Sequence, residues 1–373
     1  MRATVKHIEL PAHRRVFAVS DVHGNLDYLK GLLDKIAFSP DDILLFLGDL
    51  IEKGPKSLET LQYIMQLCKT HTVYVLRGNC DRLLFDDDLP DGWLFRYRNS
   101  WHGNLIMNEF ARRLNHPIRE PEDIDSLREL VKWEFPEEYA FLMGLPVILE
   151  SEHYIFVHGG IPGEDSLGSP DGLQDWACMK NDDFLHQGHS FRSKWCIVGH
   201  WPATLYRKNW PCANPLVSAQ QQIVSIDGGC VIKRDGQLNA LRLPPVPSAA
   251  GFTWTAYDSL PTATAEESQA PSEHSVYIRF GDNALKILER GEEFCTCLHL
   301  STGQKLDILT RDIWESKRGV FCEDSTDYLL PVQPGDVLSV IQKTSRGWLV
   351  KKDGVTGWYT GKLTWRDKPC AKP

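Results

Sequence analysis

The chain has 373 residues, more than one hydrophobic core usually organises, so two or more domains are expected. Hydrophobic residues make up 42% of it and charged residues 24%, the balance of a globular protein rather than of a disordered or membrane-embedded one. A formal net charge of −9 argues against a chain whose main activity is gripping a nucleic-acid duplex by its phosphates.

The first residues, Met1-Arg-Ala-Thr-Val-Lys-His-Ile, lack the apolar run of a secretory signal, and no later stretch is long enough to span a bilayer; a cytoplasmic protein with no membrane partner is expected. Short apolar runs then alternate with amphipathic stretches. Val16–Val19, Ile43–Leu47, Val73–Leu76, Tyr154–Val157, Cys196–Val198 and Ile223–Ile226 are continuously apolar, as expected of strands buried on both faces. Between them, Leu26, Leu29, Leu32, Leu33 and Ile36 recur at helical spacing, and Leu58, Leu61, Ile64, Met65 and Cys68 repeat the pattern. The aromatic-rich segment from Phe85 to Glu138 reads as an insertion, with helices predicted over Leu105–Leu114 and Ile124–Trp133. Ten cysteines, Cys370 the last, contain no CxxC pair, so reduced thiols and no structural zinc are expected.

After Leu243 the composition changes. Pro-Pro-Val-Pro-Ser and Thr262-Ala-Thr-Ala-Glu-Glu-Ser-Gln-Ala-Pro-Ser form a linker signal. Beyond it, Ala284–Leu288, Glu293–Cys297, Gly303–Leu306 and Ile313-Trp314 line up with Val337–Ile341, Gly347–Val350, Gly357–Tyr359 and Leu363–Trp365, an internal repeat of alternating half-buried strands. The expected organisation is a catalytic domain over 1–245, a linker over 246–275, and two small β units over 276–318 and 319–373. The second copy resembles bacterial Src-homology-3-like domains, whose usual service is protein or peptide contacts.

The chemistry sits where the buried runs end. Asp21 and His23 follow the first strand, Asp49 the second, Asn79 the third, His158 the fourth and His200 the fifth, so these groups can converge outside the carboxyl ends of one α/β sheet system. Splitting a phosphate ester requires an oxygen nucleophile beside an anionic centre, and two cations held by carboxylate, amide and imidazole ligands serve that need. Such a mixed set suits manganese, with iron and zinc as alternatives, better than calcium.

Asp21-Val-His-Gly24, Gly48-Asp-Leu-Ile-Glu-Lys-Gly54, Arg77-Gly-Asn-Cys-Asp81, Phe156-Val-His-Gly-Gly160 and Gly199-His-Trp-Pro202 resemble the motifs of the calcineurin-like metallophosphoesterases, most closely the phosphoprotein phosphatase branch that includes bacterial Ser/Thr phosphatases and diadenosine tetraphosphatases. The resemblance covers about residues 14 to 243. It implies a four-layer α/β/β/α sandwich, followed here by the small all-β region. It implies two divalent metal ions, one held by Asp21, His23 and Asp49 and the other by Asp49, Asn79, His158 and His200, with Asp49 bridging. It implies hydrolysis of a phosphorylated protein or nucleotide by a dinuclear-metal-activated hydroxide.

Three positions depart from the family pattern. Lys53 stands where arginine is usual and loses its bidentate fork for phosphate; Glu52 stands where aspartate is usual. Asn79 is followed by Cys80-Asp81 instead of His-Glu, which removes the histidine thought to protonate the leaving group. Asp49, Glu52, Lys53, Cys80 and Asp81 are therefore the candidate catalytic residues, with two alternatives open: Cys80 fills the space of the absent imidazole or acts chemically, and Lys53 contacts phosphate or is merely solvated. Asp81 has a helix cap as its own alternative. Phosphodiesterase-type activity, or a weakly active or inactive metal-binding scaffold, are the rival functional readings.

Overall fold

A computed structural model describes residues 2–86, 89, 92–168 and 172–365. Cys370 and the last part of the expected second β unit lie outside the described residues. The chain divides into two compact units, one formed by Met1–Ala203 with Pro215–Asp258, the other by Thr204–Asn214 with the chain from Ser259 onward.

The first unit contains two sheets. One has the strand order Thr253–Tyr257, Leu238–Leu243, Val16–Val19, Ile43–Phe46, Thr72–Val75, and its last three strands are mutually parallel. The other has the order Val5–His7, Ile148–Glu150, Tyr154–Val157, Trp195–Val198, Ile223–Ser225, Leu216–Ser218, with Tyr154–Val157, Trp195–Val198 and Ile223–Ser225 parallel.

The continuous apolar runs are explained by what each face meets. Successive strand residues point to opposite sides. Val16 and Ala18 pack with Ile43, Leu45, Phe156, Ile197 and Val224 in a core shared by the two sheets. Phe17 and Val19 pack with Leu44, Phe46 and the helical residues Leu29, Leu32, Leu58 and Leu61. Neither face is wet, so neither carries polar residues.

The helices are Leu26–Lys35, whose N-terminus is capped by the Asn25 side chain accepting from Tyr28 N, and Ser57–Thr70. The insertion contributes Ile106–Arg113 and Glu122–Glu134 close to the predicted spans, together with Trp93–Tyr97 and Pro136–Gly144. Its buried residues Leu105, Ile106, Phe110, Ile124, Leu127 and Val131 join the helix-side core. Among the described residues, the helical pieces between the strands of the second sheet are short, Asp175–Met179 being the α-helix there.

The described residues of the second unit form strands apart from single-turn 3-10 segments: a two-stranded pair of Tyr277–Ile278 with Ser325–Thr326, and two five-stranded sheets. One sheet runs Lys305–Leu309, Phe294–His299, Ala284–Glu289, Gly319–Cys322, Ile313–Ser316; the other runs Val355–Tyr359, Gly347–Lys352, Val337–Thr344, Thr262–Ala265, Leu363–Trp365. The two share one spatial strand order with different chain connections, and the central strand of each bulges at the equivalent place, between Ile287 and Glu289 in one and Val340 and Gln342 in the other. The expected linker over 246–275 is corrected here: it contains Thr253–Tyr257 and Thr262–Ala265, both paired in sheets. The expected boundary at 318/319 falls inside the hairpin joining Ile313–Ser316 to Gly319–Cys322. Among the described residues no helix is long and apolar enough to cross a membrane, and the nine described cysteines are free thiols.

Candidate metal centre

Three strands of the first sheet and two of the second run in register so that their carboxyl ends deliver polar residues to one place. Ser20-Asp21 leaves Val16–Val19, Gly48-Asp49 follows Ile43–Phe46, Gly78-Asn79 follows Thr72–Val75, His158 ends Tyr154–Val157, and Gly199-His200 ends Trp195–Val198. Sharp turns are needed to aim them. Asp21, His23, Asp49 and His200 all adopt the left-handed region, at φ of 57°, 49°, 51° and 66°, a strained conformation for residues with a Cβ that is characteristic of functional sites. Two glycines make room: a Cβ at Gly78 would lie 2.2 Å from Asp49 Oδ1, and one at Gly199 would lie 2.5 Å from Asp21 Oδ2.

Asp21, His23, Asp49 and His158 are at most 2% exposed. The His23 Nε2 atom lies 3.7 Å from both Asp21 Oδ1 and Asp49 Oδ2, and His158 Nε2 lies 3.3 Å from Asp49 Oδ1 without hydrogen-bond geometry. Nδ1 of each ring faces a backbone carbonyl instead, Ile51 O at 3.4 Å for His23 and Leu47 O at 2.6 Å for His158, so both Nε2 atoms turn toward the carboxylates. The His200 ring packs edge-on to His158 with centroids 5.2 Å apart, and its backbone N donates to Asp21 Oδ2 at 3.0 Å.

Two groups of ligand atoms lie within 4.8 Å of one another, Asp21 with Asp49 and His158, and His23 with Asp49 and Cys80. They overlap at Asp49. Asp21 Oδ1, Asn79 Oδ1 and His158 Nε2 are buried without a protein hydrogen-bond partner, a costly arrangement for protein alone. Cations bound between these atoms remove that cost, so the donor set of carboxylate, amide oxygen and imidazole fits a divalent metal pair.

The electrostatics divide the three imidazoles. Burial pushes His23 down to about 3, with the Lys53 charge adding to the effect, and burial likewise pushes His200 down to about 4, so both rings are neutral, the form that ligates metal. Burial raises Asp21 to about 6. For His158 burial acts downward but the Asp49 and Asp21 carboxylates outweigh it and hold the ring up at about 9: the paired carboxylates draw positive charge toward themselves.

The remaining candidates separate into different roles. Lys53, at φ of 71°, is folded inward with Nζ 3.3 Å from His23 Nε2 and 5.6 Å from the Trp101 ring centre, so the reading of it as a solvated lysine is corrected. Glu52 is 2% exposed and its Oε2 accepts from Ile106 N at 3.3 Å. Cys80 is 2% exposed, its N donates to Asp49 Oδ1 at 2.8 Å and its Sγ accepts from Asn79 Nδ2 at 3.3 Å. Asp81 accepts from Asp49 N, Leu50 N and Gly78 N at 2.9, 2.7 and 2.7 Å. Its oxygens clamp two ligand loops together, a structural role beside the catalytic one expected of it, and these partners are not the N–H groups of a following helix. Two neighbours carried no motif: Trp101, itself at φ of 55°, and Asp182, whose Oδ1 lies 2.7 Å from His200 Nε2.

The family model described as calcineurin-like phosphoesterase matches residues 14–227. The asymmetrical bis(5'-nucleosyl)-tetraphosphatase PrpE of Halalkalibacterium halodurans is 27% identical over 265 residues, covering 61% of this chain and 89% of that protein. The symmetrical bis(5'-nucleosyl)-tetraphosphatase of Pseudomonas putida is 31% identical over 153 residues, covering 41% of this chain and 44% of that protein. A solved protein serine/threonine phosphatase from Saccharomyces cerevisiae aligns with 69% of this chain and 85% of its own at 12% identity, with a TM-score of 0.42.

Proposed function

We propose a nucleoside polyphosphate substrate for this chain, which belongs to the calcineurin-like phosphoesterases and is a metal-dependent hydrolase of phosphoric ester bonds. In this reading Asp21, His23 and Asp49 hold one divalent cation and Asp49, Asn79, His158 and His200 the other, with manganese the metal expected for this mixed set of carboxylate, amide and imidazole. When bound, the cation pair neutralises phosphate charge and lowers the pKa of a water that attacks it. Asp49 is the shared carboxylate of this reading; the two clusters of ligand atoms, Asp21 with Asp49 and His158 and His23 with Asp49 and Cys80, divide the other residues differently but also meet at Asp49. Lys53 presents a point charge to a phosphate oxygen beside His23.

The observation that carries the substrate choice is Cys80. Burial and the Asp49 charge hold its thiol well above the ordinary thiol range, so it is a poor proton donor to a departing oxygen where the family motif has histidine. An alkoxide leaving from phosphoserine needs that proton. A phosphate leaving from an anhydride is stable as an anion and does not. The relatives named as tetraphosphatases act on such anhydrides, which supports the same reading. The C-terminal β region, whose sequence resembles SH3-like domains, is read as serving contacts, in keeping with the location of both ligand groups in the first unit among the described residues.

The test assays the manganese-loaded full chain on a dinucleoside tetraphosphate, an aryl phosphate and a phosphoserine peptide. The tetraphosphate is expected to exceed the phosphopeptide in kcat/KM by about 10²-fold or more, the contribution of a missing general acid. Asp49→Asn is expected to abolish turnover of all three. Equal or faster cleavage of the phosphopeptide overturns the nucleotide reading.

A further inference from the structure

We propose that Asp182 is a positioning residue that selects Nδ1 of His200 as the atom facing the metal centre; this rests on the assignment of His200 as a ligand. His200 Nε2 lies 2.7 Å from Asp182 Oδ1. That oxygen also receives the Lys180 ammonium, which favours the ionised, acceptor-only form of the carboxylate. Nε2 therefore carries the hydrogen, and the lone pair of the neutral ring resides on Nδ1. The ring cannot escape by moving its backbone, because His200 N is tied to Asp21 Oδ2 at 3.0 Å and the residue sits at φ of 66°.

The three imidazoles of the site are set in two ways. His23 and His158 present Nδ1 to the backbone carbonyls of Ile51 and Leu47, which no substitution removes, and turn Nε2 toward the carboxylates. In His200 it is Nε2 that is engaged, leaving Nδ1 for the metal in this proposal, and its partner is a side chain 49% exposed in the loop after Asp175–Met179. Lys180 makes that dependence acute. Its Nζ lies 3.3 Å from the same Nε2 but, having only donors, it cannot bond to a nitrogen that already carries hydrogen. Without Asp182, the ammonium faces Nε2 alone and favours the other tautomer, with hydrogen on Nδ1. Carboxylate partners on the distal nitrogen of a metal-bound imidazole orient the ring, and losing one costs about 10–100-fold in metal affinity.

The test titrates manganese into the chelator-stripped full chain by calorimetry for the wild type, Asp182→Ala, Asp182→Ala with Lys180→Met, and His200→Ala. Expected are two equivalents in the wild type, one of them lost in His200→Ala and the same one weakened about 10–100-fold in Asp182→Ala. Part of that loss should return when Lys180→Met removes the competing ammonium. Nitrogen-15 spectra of the histidines in the stripped wild type should place the His200 hydrogen on Nε2, a reading independent of how any variant folds. Hydrogen on Nδ1 overturns the proposal. So does Asp182→Ala binding both equivalents with wild-type affinity while His200→Ala does not, which leaves the ligand assignment standing. His200→Ala retaining both equivalents overturns the ligand assignment itself.

Discussion

Glu52 is a residue whose environment changes its chemistry. It follows the bridging candidate by three positions, adopts φ of 73°, and is 2% exposed with one backbone N–H to accept from. Burial pushes its carboxyl from 4.5 up to about 8. Between those values the folded chain holds a proton that the unfolded chain has released, so the stability associated with this group is intact below about 4.5 and is lost as pH rises through 8. Glu52→Gln carries no such proton. The melting temperature of the variant relative to the wild type, measured in chelator, is therefore expected to be flat below pH 4.5 and to climb between pH 5 and 9, the full swing amounting to a few kcal/mol at about 1.4 kcal/mol per unit. A difference that stays constant across that range rules out a buried, protonated Glu52. The six ligand candidates could be proposed from the sequence because each stands within four residues of the end of an apolar run. The inward turn of Lys53 and the contact of Asp182 were not. Whether Lys53 turns inward depends on its left-handed backbone at φ of 71°, and the Asp182 contact joins residues 18 apart whose spacing follows no period.

Elements were legible where two faces agree. Val16–Val19 and Tyr154–Val157 are apolar on both sides because each strand has a packed layer on both sides, and a run of that kind has few alternatives. Thr262–Ala265 misled for the opposite reason. Thr-Ala-Thr-Ala beside Glu-Glu-Ser-Gln reads as low-complexity spacer, yet Ala263 and Ala265 are 0% and 2% exposed and share a core with Tyr359, Leu338 and Val350. This strand supplies to the second sheet what Gly319–Cys322 supplies to the first, so the repeat continues into sequence that lies upstream of both copies. Long-range pairing of this sort leaves no local signature. Ala263→Asp is accordingly expected to cost about 3 kcal/mol or more, the penalty of an uncompensated buried charge, whereas Val246→Asp at a position 76% exposed should be neutral. Urea unfolding followed by tryptophan fluorescence checks both. Equal midpoints would restore the spacer reading of Thr262–Ala265.

At the scale of the whole molecule, the first unit is organised around a concentration of buried acid. Parallel strands within each sheet point their carboxyl ends the same way, so two sheets that share one core converge on one rim, and that rim holds Asp21, Asp49, Asp81 and Asp227 at 2% exposure or less. Burial raises Asp21 to about 6 and Asp81 to about 7, and it raises Asp227 well above the carboxylate range with the Asp21 charge adding to it. The Lys53 ammonium and the His158 ring already stand among these acids, and further positive charge placed there favours the folded state at neutral pH. A ligand that binds only the folded form stabilises it by RT ln(1 + [L]/Kd), about 2.7 kcal/mol at a hundredfold excess over Kd. For a unit of this size that corresponds to a melting shift on the order of 5 °C or more. Scanning calorimetry should show the transition of the first unit fall by that amount in chelator and return with manganese, with the shift growing as the logarithm of manganese concentration and shrinking in Asp49→Asn. A transition that ignores both chelator and metal would mean that the rim tolerates its own charge, and the cation pair would lose its physical basis.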